Sequence, residues 1–175
     1  MPRQNRANSA EELTAPRMNS GQDVVMTPQV ICDDIVDHFK PNGLLLEPCR
    51  GSGNFQRAME RYGKTLWCEI SEGQDFYAFN EKVDWIITNP PWSDIRGFLR
   101  HSMQVADNIV FLVSVHHTFT RARLRDLREF GFGIKEIRYY DVPLPFTQSG
   151  FQTGAIYWKR GWLGPCDFTV GIIRD

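Results

Sequence analysis

The spacing of apolar residues along the chain alternates between the spacing typical of strands and the spacing typical of helices. Each change of spacing predicts a new secondary-structure element. Continuous apolar runs, as at 83–88 and 108–115, are typical of strands buried on both faces of a sheet. The pattern predicts strands at 43–47, 65–70, 83–88, 108–115, 134–141 and 153–160, and helices at 28–39, 55–62, 75–79, 95–106 and 121–130. Such alternation predicts an α/β fold in which right-handed crossovers build a parallel sheet and the last two strands form a hairpin.

The strand at 83–88 stops abruptly at Asn89-Pro90-Pro91-Trp92. Neither proline donates a backbone N–H, so the strand ends here, at the edge where open α/β sheets bind ligands. The Asn89 side-chain carbonyl and the Pro90 backbone carbonyl can accept both hydrogens of one –NH2 group, and Trp92 offers a π face to a flat ring. The motif therefore indicates a site for a planar amine. The alternative is a proline-rich turn in which Trp92 packs locally.

A second motif, Glu47-Pro48-Cys49-Arg50-Gly51-Ser52-Gly53, leads from the strand at 43–47 into a helix. Gly51 and Gly53 let the backbone approach a ligand, and the first N–H groups of the helix point at that ligand. The dinucleotide fingerprint is not met, because Gln56 stands where its third glycine belongs. Glu47 disfavours a phosphate and suits a cationic ligand, such as an amino group or a sulfonium.

Acidic residues follow the glycine loop. Glu69 ends a predicted strand about 20 residues further on, the separation at which a carboxylate reaches ribose hydroxyls. Beyond it, Asp75 can accept a hydrogen bond from an adenine amine and Phe76 can pack on the ring. Each residue taken singly also fits a solvated strand end or a turn.

These features, in this order, resemble the amino-methyltransferases that use S-adenosyl-L-methionine, in particular the N6-adenine DNA methyltransferases whose cofactor motif precedes the catalytic motif. That family's catalytic tetrapeptide is Asn or Asp-Pro-Pro-aromatic, and its cofactor loop is Asp-Pro-x-x-Gly-x-Gly. The tetrapeptide is matched by Asn89, Pro90, Pro91 and Trp92, and the loop by Glu47, Pro48, Gly51 and Gly53, with Glu in place of Asp. The resemblance implies that Glu69 binds the cofactor ribose and that Asp75 and Phe76 bind its adenine.

The resemblance covers roughly residues 22 to 160 and implies a Rossmann-like sandwich with a mostly parallel, seven-stranded sheet and a terminal antiparallel hairpin. The family also places Thr-Pro before a helix ahead of the cofactor loop, which adds Thr27 to the predicted cofactor site. Local capping rules explain the pair equally, with Thr27 as N-cap and Pro28 as the first helical residue.

The polar residues 1–21 lack sustained periodicity and predict a flexible arm, which leaves 22–175 as a single methyltransferase domain. DNA-modifying members of the family usually carry a separate target-recognition domain, and no stretch here is long enough to be one. The sequence therefore predicts relaxed or short-site specificity, or recognition through an oligomer or a partner.

Composition restricts the class of protein further. The 175 residues are 42% hydrophobic with a net charge of −1, which fits one core. No apolar segment is long enough to span a membrane and none resembles a signal peptide, so we predict a cytoplasmic protein without a membrane partner. The four cysteines lack Cys-x-x-Cys spacing, and with the four histidines they show no metal-site pattern, so we predict reduced thiols and no metal.

Basic residues cluster beyond the catalytic motif. Arg96, Arg121 and Arg123 are predicted to contact nucleic-acid phosphates, whereas the alternative is a helix side with ion pairs such as Arg125 to Glu129. In the apolar loop 142–151, the resemblance implies that an aromatic residue packs on the target adenine. Phe146 is the candidate, with Phe151 and Phe119 as alternatives, and the competing interpretation is that Phe146 closes the edge of the core.

We therefore predict that the protein transfers a methyl group from S-adenosyl-L-methionine to the N6 amine of adenine, in DNA rather than RNA. Methylation of RNA adenine or of a protein glutamine amide would use the same four catalytic residues, and the arginines disfavour the glutamine amide. A non-catalytic nucleotide-binding or nucleic-acid-binding module would be expected to have lost a motif residue, and none is evidently lost.

Overall fold

A computed structural model describes residues 26–140 and 152–171. Within these residues, four α-helices alternate with the strands of one sheet. The helices are α1 (Gln29–Phe39), α2 (Asn54–Met59), α3 (Ile95–Val105) and α4 (Arg121–Phe130). The strands are β1 (Leu44–Glu47), β2 (Lys64–Trp67), β3 (Val83–Thr88), β4 (Ala106–Ser114), β5 (Phe132–Tyr140), β6 (Thr153–Arg160) and β7 (Asp167–Val170). Short 3-10 turns lie at Ile70–Glu72, Phe76–Ala78, Trp92–Asp94 and Val115–Phe119.

The described strands form one seven-stranded sheet in the order β2-β1-β3-β4-β6-β5-β7. Every neighbouring pair is parallel except those of β6, which runs antiparallel to both β4 and β5. This arrangement confirms the predicted α/β sandwich and its hairpin between the strands at 132–140 and 153–160. The hairpin is followed by β7, which adds a parallel edge strand.

Helices cover both faces of the sheet, which explains why its central strands are apolar along their length. On one face, α1 and α2 pack against a buried cluster that includes Leu45, Ile87 and Val110. On the other face, α3 and α4 contribute to a cluster that includes Ile86 and Phe111. Successive residues of β3 and β4 therefore contribute to opposite clusters, as the pleat of a strand requires.

Most predicted elements lie within one or two residues of the observed ones, and β7 is the strand that the pattern missed. It has four residues and pairs with β5 from Glu136↔Asp167 to Tyr139↔Val170. Phe168 and Val170 are both exposed, so the strand lacks the alternation of a half-buried strand. The helix predicted at 75–79 is a single 3-10 turn, Phe76–Ala78.

The local capping explanation of Thr27 and Pro28 is wrong. Helix α1 begins at Gln29, its N-cap is Pro28, and no side chain caps it. The Pro28 carbonyl accepts the first helical N–H groups, from Ile31 at 3.1 Å and Cys32 at 3.2 Å. The Thr27 hydroxyl instead accepts a hydrogen bond from the Asn89 side chain. No helix in the described ranges is long and apolar enough to cross a bilayer.

Candidate functional site

The carboxyl ends of three adjacent parallel strands bring the predicted motifs together. Strand β1 lies between β2 and β3, with Glu47 opposite Trp67 and Leu46 opposite Ile86. The Thr88 hydroxyl, at the end of β3, donates a hydrogen bond to Glu47 Oε1. Since Asn89 follows Thr88 directly, the predicted cofactor motif and the predicted catalytic motif meet at this edge, as parallel strand geometry requires.

Glu47 is a fully buried carboxyl group with one oxygen left over. Its Oε1 accepts hydrogen bonds from the Cys49 backbone N–H at 3.0 Å and from Thr88. Its buried Oε2 has no hydrogen-bond partner among the described residues. Burial raises the pKa of Glu47 to about 8, although the two hydrogen bonds oppose that change. An unpartnered acidic oxygen beside a glycine loop fits a cationic ligand such as an ammonium group.

The glycine loop takes a conformation that side chains disfavour. Gly51 has φ +47° and Gly53 has φ +77°, and Gly53 is the N-cap of α2. The Gly51 N–H donates to Glu69 Oε2 at 2.8 Å, which ties the loop after β1 to the segment after β2. A carboxylate thus holds in place the loop at which a ligand is predicted to approach the backbone.

Both oxygens of Glu69 accept hydrogen bonds from the protein. Oε2 accepts from Gly51, and Oε1 accepts from the Ser71 N–H at 3.1 Å and the Ser71 hydroxyl at 2.8 Å. Burial raises the pKa of Glu69, but these hydrogen bonds outweigh it and hold the pKa below its usual value. Glu69 is thus a charged acceptor at the glycine loop, and its binding of a ribose stays a prediction.

The two residues of the predicted adenine-binding pair differ in accessibility, because Asp75 is exposed and Phe76 is buried. Asp75 caps the turn Phe76–Ala78 by accepting from the Tyr77 N–H at 2.9 Å. Phe76 is only 3% exposed, and its ring lies 5.1 Å from Phe98 and 4.7 Å from His101, measured between ring centroids. Little of its surface is left for a ligand. The ring that this turn exposes is that of Tyr77, at 42%.

Asn89 is held at both ends of its side-chain amide. The Trp92 indole N–H donates to Asn89 Oδ1 at 3.1 Å, and Asn89 Nδ2 donates to the Thr27 hydroxyl at 3.2 Å. The Thr27 backbone carbonyl accepts from Asn54 Nδ2 at 2.7 Å, and Asn54 begins α2. Pro90 is buried, whereas Pro91 and Trp92 are half-buried. Sequence reasoning missed Asn54 and Thr88, whose only signal was a polar side chain beside each motif.

The predicted substrate-binding arginines fall into different environments. Arg96 donates through two nitrogens to the buried Asp126 carboxylate, at 2.8 and 2.9 Å, so α3 and α4 are joined by an ion pair. Arg123 is 5% exposed, and burial lowers its pKa. Burial makes Arg123 unsuited to contact a phosphate, whereas 54% of the Arg96 side chain is exposed, so a phosphate contact by Arg96 stays a prediction. Arg121 is exposed and forms no ion pair with the residues that the structure describes.

Two further arginines share the exposed side of α4 with Arg121. Arg125 and Arg128 lie four and seven residues after it, and we call these three residues the α4 arginines. The expected pair between Arg125 and Glu129 is wrong, because Glu129 accepts from Arg100 at 2.9 Å instead. Phe119, just before α4, is 55% exposed. Phe146 and Phe151 lie outside the described residues.

Two surface cavities lie elsewhere on the sheet, towards the amino ends of β3 and β4. One, of about 590 Å³, is lined by residues such as Val83 and Arg160, and the other, of about 330 Å³, by residues such as Trp85 and Tyr157. Neither contains a predicted site residue. The candidate site therefore does not coincide with either cavity. It is defined by the side chains at the carboxyl ends of β1, β2 and β3, at the other edge of the sheet.

Known proteins match this chain through their structures. No protein-family model matches, and no curated protein matches. A proposed RNA methyltransferase, PH1948 from Pyrococcus horikoshii, is similar with a TM-score of 0.59 and 14% identity over 78% of this chain and 86% of its own. A proposed class I S-adenosylmethionine-dependent methyltransferase from Listeria monocytogenes has a TM-score of 0.58 and 15% identity over 86% of this chain and 67% of its own.

The M protein of the type I restriction enzyme EcoKI is also similar, with a TM-score of 0.57 and 13% identity over 79% of this chain. This chain spans 44% of that protein's length. At such identities the likeness shows the fold alone, which is the Rossmann-like sandwich of class I methyltransferases.

Proposed function

We propose that this protein transfers a methyl group from S-adenosylmethionine to the N6 amine of adenine, with DNA as the substrate. The observation that carries the proposal is the Asn89 amide, held between Thr27 and Trp92 at the carboxyl end of β3. The buried, unpartnered oxygen of Glu47 lies at the end of the neighbouring strand. Asn89 could accept from an amine and Glu47 could bind an ammonium group. These two residues lie at the ends of the adjacent strands β3 and β1.

The cofactor half of the site would bind through the residues after β1 and β2. Glu47 Oε2 would accept from the ammonium group, which also removes the cost of a buried oxygen without a partner. Glu69, which holds the glycine loop through Gly51, would accept from the ribose hydroxyls. When bound, S-adenosylmethionine supplies an electrophilic methyl group on a positively charged sulfur.

The catalytic half would orient the nucleophile. Asn89 Oδ1 and the Pro90 carbonyl would each accept one hydrogen of the adenine amine, and Pro91 adds no N–H donor that could compete with the amine for these acceptors. Two such bonds draw the amine nitrogen out of conjugation, so that its lone pair can attack. Catalysis would then consist mainly of positioning, and water would take the proton that the amine loses.

The α4 arginines support a nucleic acid as the substrate. Their side chains occupy the exposed side of a helix that follows β4, the strand next to β3, and the described residues offer them no carboxylate. Unneutralised guanidinium groups suit the regularly spaced phosphates of a nucleic acid, and a protein glutamine has no matching charge. An amine engaged in base pairing must be extruded or single-stranded before it can reach Asn89.

RNA is the second candidate substrate. The similarity to a proposed RNA methyltransferase favours it, whereas the similarity to a type I restriction M protein favours DNA.

The test is nucleoside mass spectrometry on DNA and RNA from cells that lack adenine methylation of their own. The cells express the parent protein, Asn89→Ala, or the exposed control Asn80→Ala. We expect N6-methyladenine in DNA with the parent and the control. Purified Asn89→Ala should turn over about 100-fold more slowly with nearly unchanged cofactor affinity. The mark in RNA alone would move the substrate to RNA, and equal turnover in Asn89→Ala would reject Asn89 as catalytic.

A further inference from the structure

The Asn89 side chain can be placed in two orientations that have nearly the same shape and opposite hydrogen-bonding character. In one orientation, the carbonyl oxygen lies where an amine can donate to it. In the other, the –NH2 group lies there, and two donors would face each other. If Asn89 accepts from the substrate amine, as proposed above, the site must distinguish these orientations before the substrate binds.

We propose that Trp92 and Thr27 are positioning residues that select the productive orientation of the Asn89 amide. An indole N–H can only donate, so the atom 3.1 Å from Trp92 Nε1 must be the carbonyl oxygen Oδ1. Rotating the amide by 180° would bring its –NH2 group against the indole N–H and lose that hydrogen bond. Trp92 therefore decides which end of the amide faces which neighbour.

Thr27 supports the same orientation from the other side. Its hydroxyl accepts from Asn89 Nδ2 at 3.2 Å, and the residue is buried. A hydroxyl can donate or accept, so Thr27 does not select the orientation by itself, but it holds the amide once Trp92 has done so. Because the Thr27 carbonyl accepts from Asn54, this anchor is also joined to the first residue of α2.

Trp92 has two separate properties, its aromatic ring and its indole N–H. The family motif requires an aromatic residue at this position, and any aromatic ring offers a π face. Only tryptophan offers an indole N–H, and here that N–H contacts the catalytic side chain. A carbonyl oxygen accepts two hydrogen bonds, so the substrate amine and the indole can share Oδ1.

The kinetic test makes conservative substitutions at Trp92 and at Thr27. Trp92→Phe keeps an aromatic ring without the N–H, and we expect kcat to fall about 10-fold, the effect of one hydrogen bond, while KM for the nucleic acid changes little. Thr27→Val should also lower kcat, and Thr27→Ser should restore it. The matched controls are Trp162→Phe, which loses an indole bond to the Pro165 carbonyl, and Thr153→Val, which loses a buried hydroxyl.

A second readout does not depend on activity. Hydrogen exchange of the Trp92 indole proton, followed by ¹H–¹⁵N NMR, should be slow in the parent and in Asn89→Asp, which keeps an acceptor oxygen. It should be fast in Asn89→Leu, which has none. Unchanged exchange in Asn89→Leu would overturn the inference, as would an unchanged kcat or a change in KM alone for Trp92→Phe. A parent without methyl transfer would refute the proposed function, and the NMR result would still decide this inference.

Discussion

Glu47 should make cofactor binding depend on pH in a way that its neutral isostere abolishes. Burial raises the pKa of this carboxyl group to about 8, and its Oε2 has no partner among the described residues. A cationic ligand at that oxygen requires the ionised form. Binding must therefore release the proton that Glu47 holds at neutral pH, and affinity should rise as the ionised fraction rises.

The size of this effect follows from the pKa. For a group with a pKa of about 8, the ionised fraction is about 1% at pH 6 and about 24% at pH 7.5. Affinity for S-adenosylmethionine or S-adenosylhomocysteine should therefore increase about 20-fold over that range. The range ends at about pH 7.5 because the ligand's own amino group begins to lose its proton above it.

The same carboxyl group makes the opposite contribution to stability. Its pKa is higher in the folded than in the unfolded chain, so the folded state binds more protons between about pH 5 and pH 8. The free energy of unfolding of the ligand-free protein should fall as pH rises through that interval, by up to about 1.4 kcal/mol per pH unit. As pH rises over this range, the ligand-free protein thus becomes less stable while its affinity for S-adenosylmethionine increases.

The assays are titration calorimetry in two buffers of different ionisation enthalpy and urea unfolding, each from about pH 5.5 to pH 7.5. Glu47→Gln should flatten both pH dependences, whereas the exposed control Glu81→Gln should keep them. Adenosine, which has no ammonium group, should bind with little pH dependence in all three proteins. An affinity for S-adenosylhomocysteine that stays constant with pH, or that varies equally in Glu47→Gln, would refute the assignment of Glu47 to the ammonium.

Two further predictions concern the arginines. Changing the three α4 arginines to Gln should weaken DNA binding and reduce the slope of log affinity against log salt by up to about 3, measured by fluorescence anisotropy. The control changes three exposed lysines at the opposite edge of the sheet, Lys40, Lys64 and Lys82, and an equal effect there would contradict a specific role for α4. Asp126→Ala should lower the free energy of unfolding by about 2 kcal/mol in urea, because it removes a buried partner of Arg96 and Arg100. Glu129→Ala should lower the free energy of unfolding much less, since Glu129 is exposed. Equal losses in the two variants would show that the buried Asp126 carboxylate contributes no more to stability than the exposed one.

The elements that sequence predicted best are those whose residues carry the signal themselves. The bounds of β3 and α4 agree with the prediction at both ends. The Pro-Pro pair stops β3 whatever surrounds it, and α4 begins at a Thr120 cap and ends at Gly131 with φ +71°. The residues of β7 carry no local signal of this kind. They form a strand because they pair with β5, which is a tertiary contact.

The sequence by itself determined the motifs and their order. Strand ends, glycine turns and Pro-Pro stops depend only on residues that are close together in the sequence. The sequence therefore predicted that these motifs would lie at the ends of strands. The tertiary structure alone decided which side chains pair with residues far along the chain and which are buried: Arg96 pairs with Asp126, the Thr27 hydroxyl accepts from Asn89, and Arg123 is buried. Each of those outcomes depends on helices and loops brought together by packing on the two faces of the sheet, and sequence spacing carries no record of such contacts.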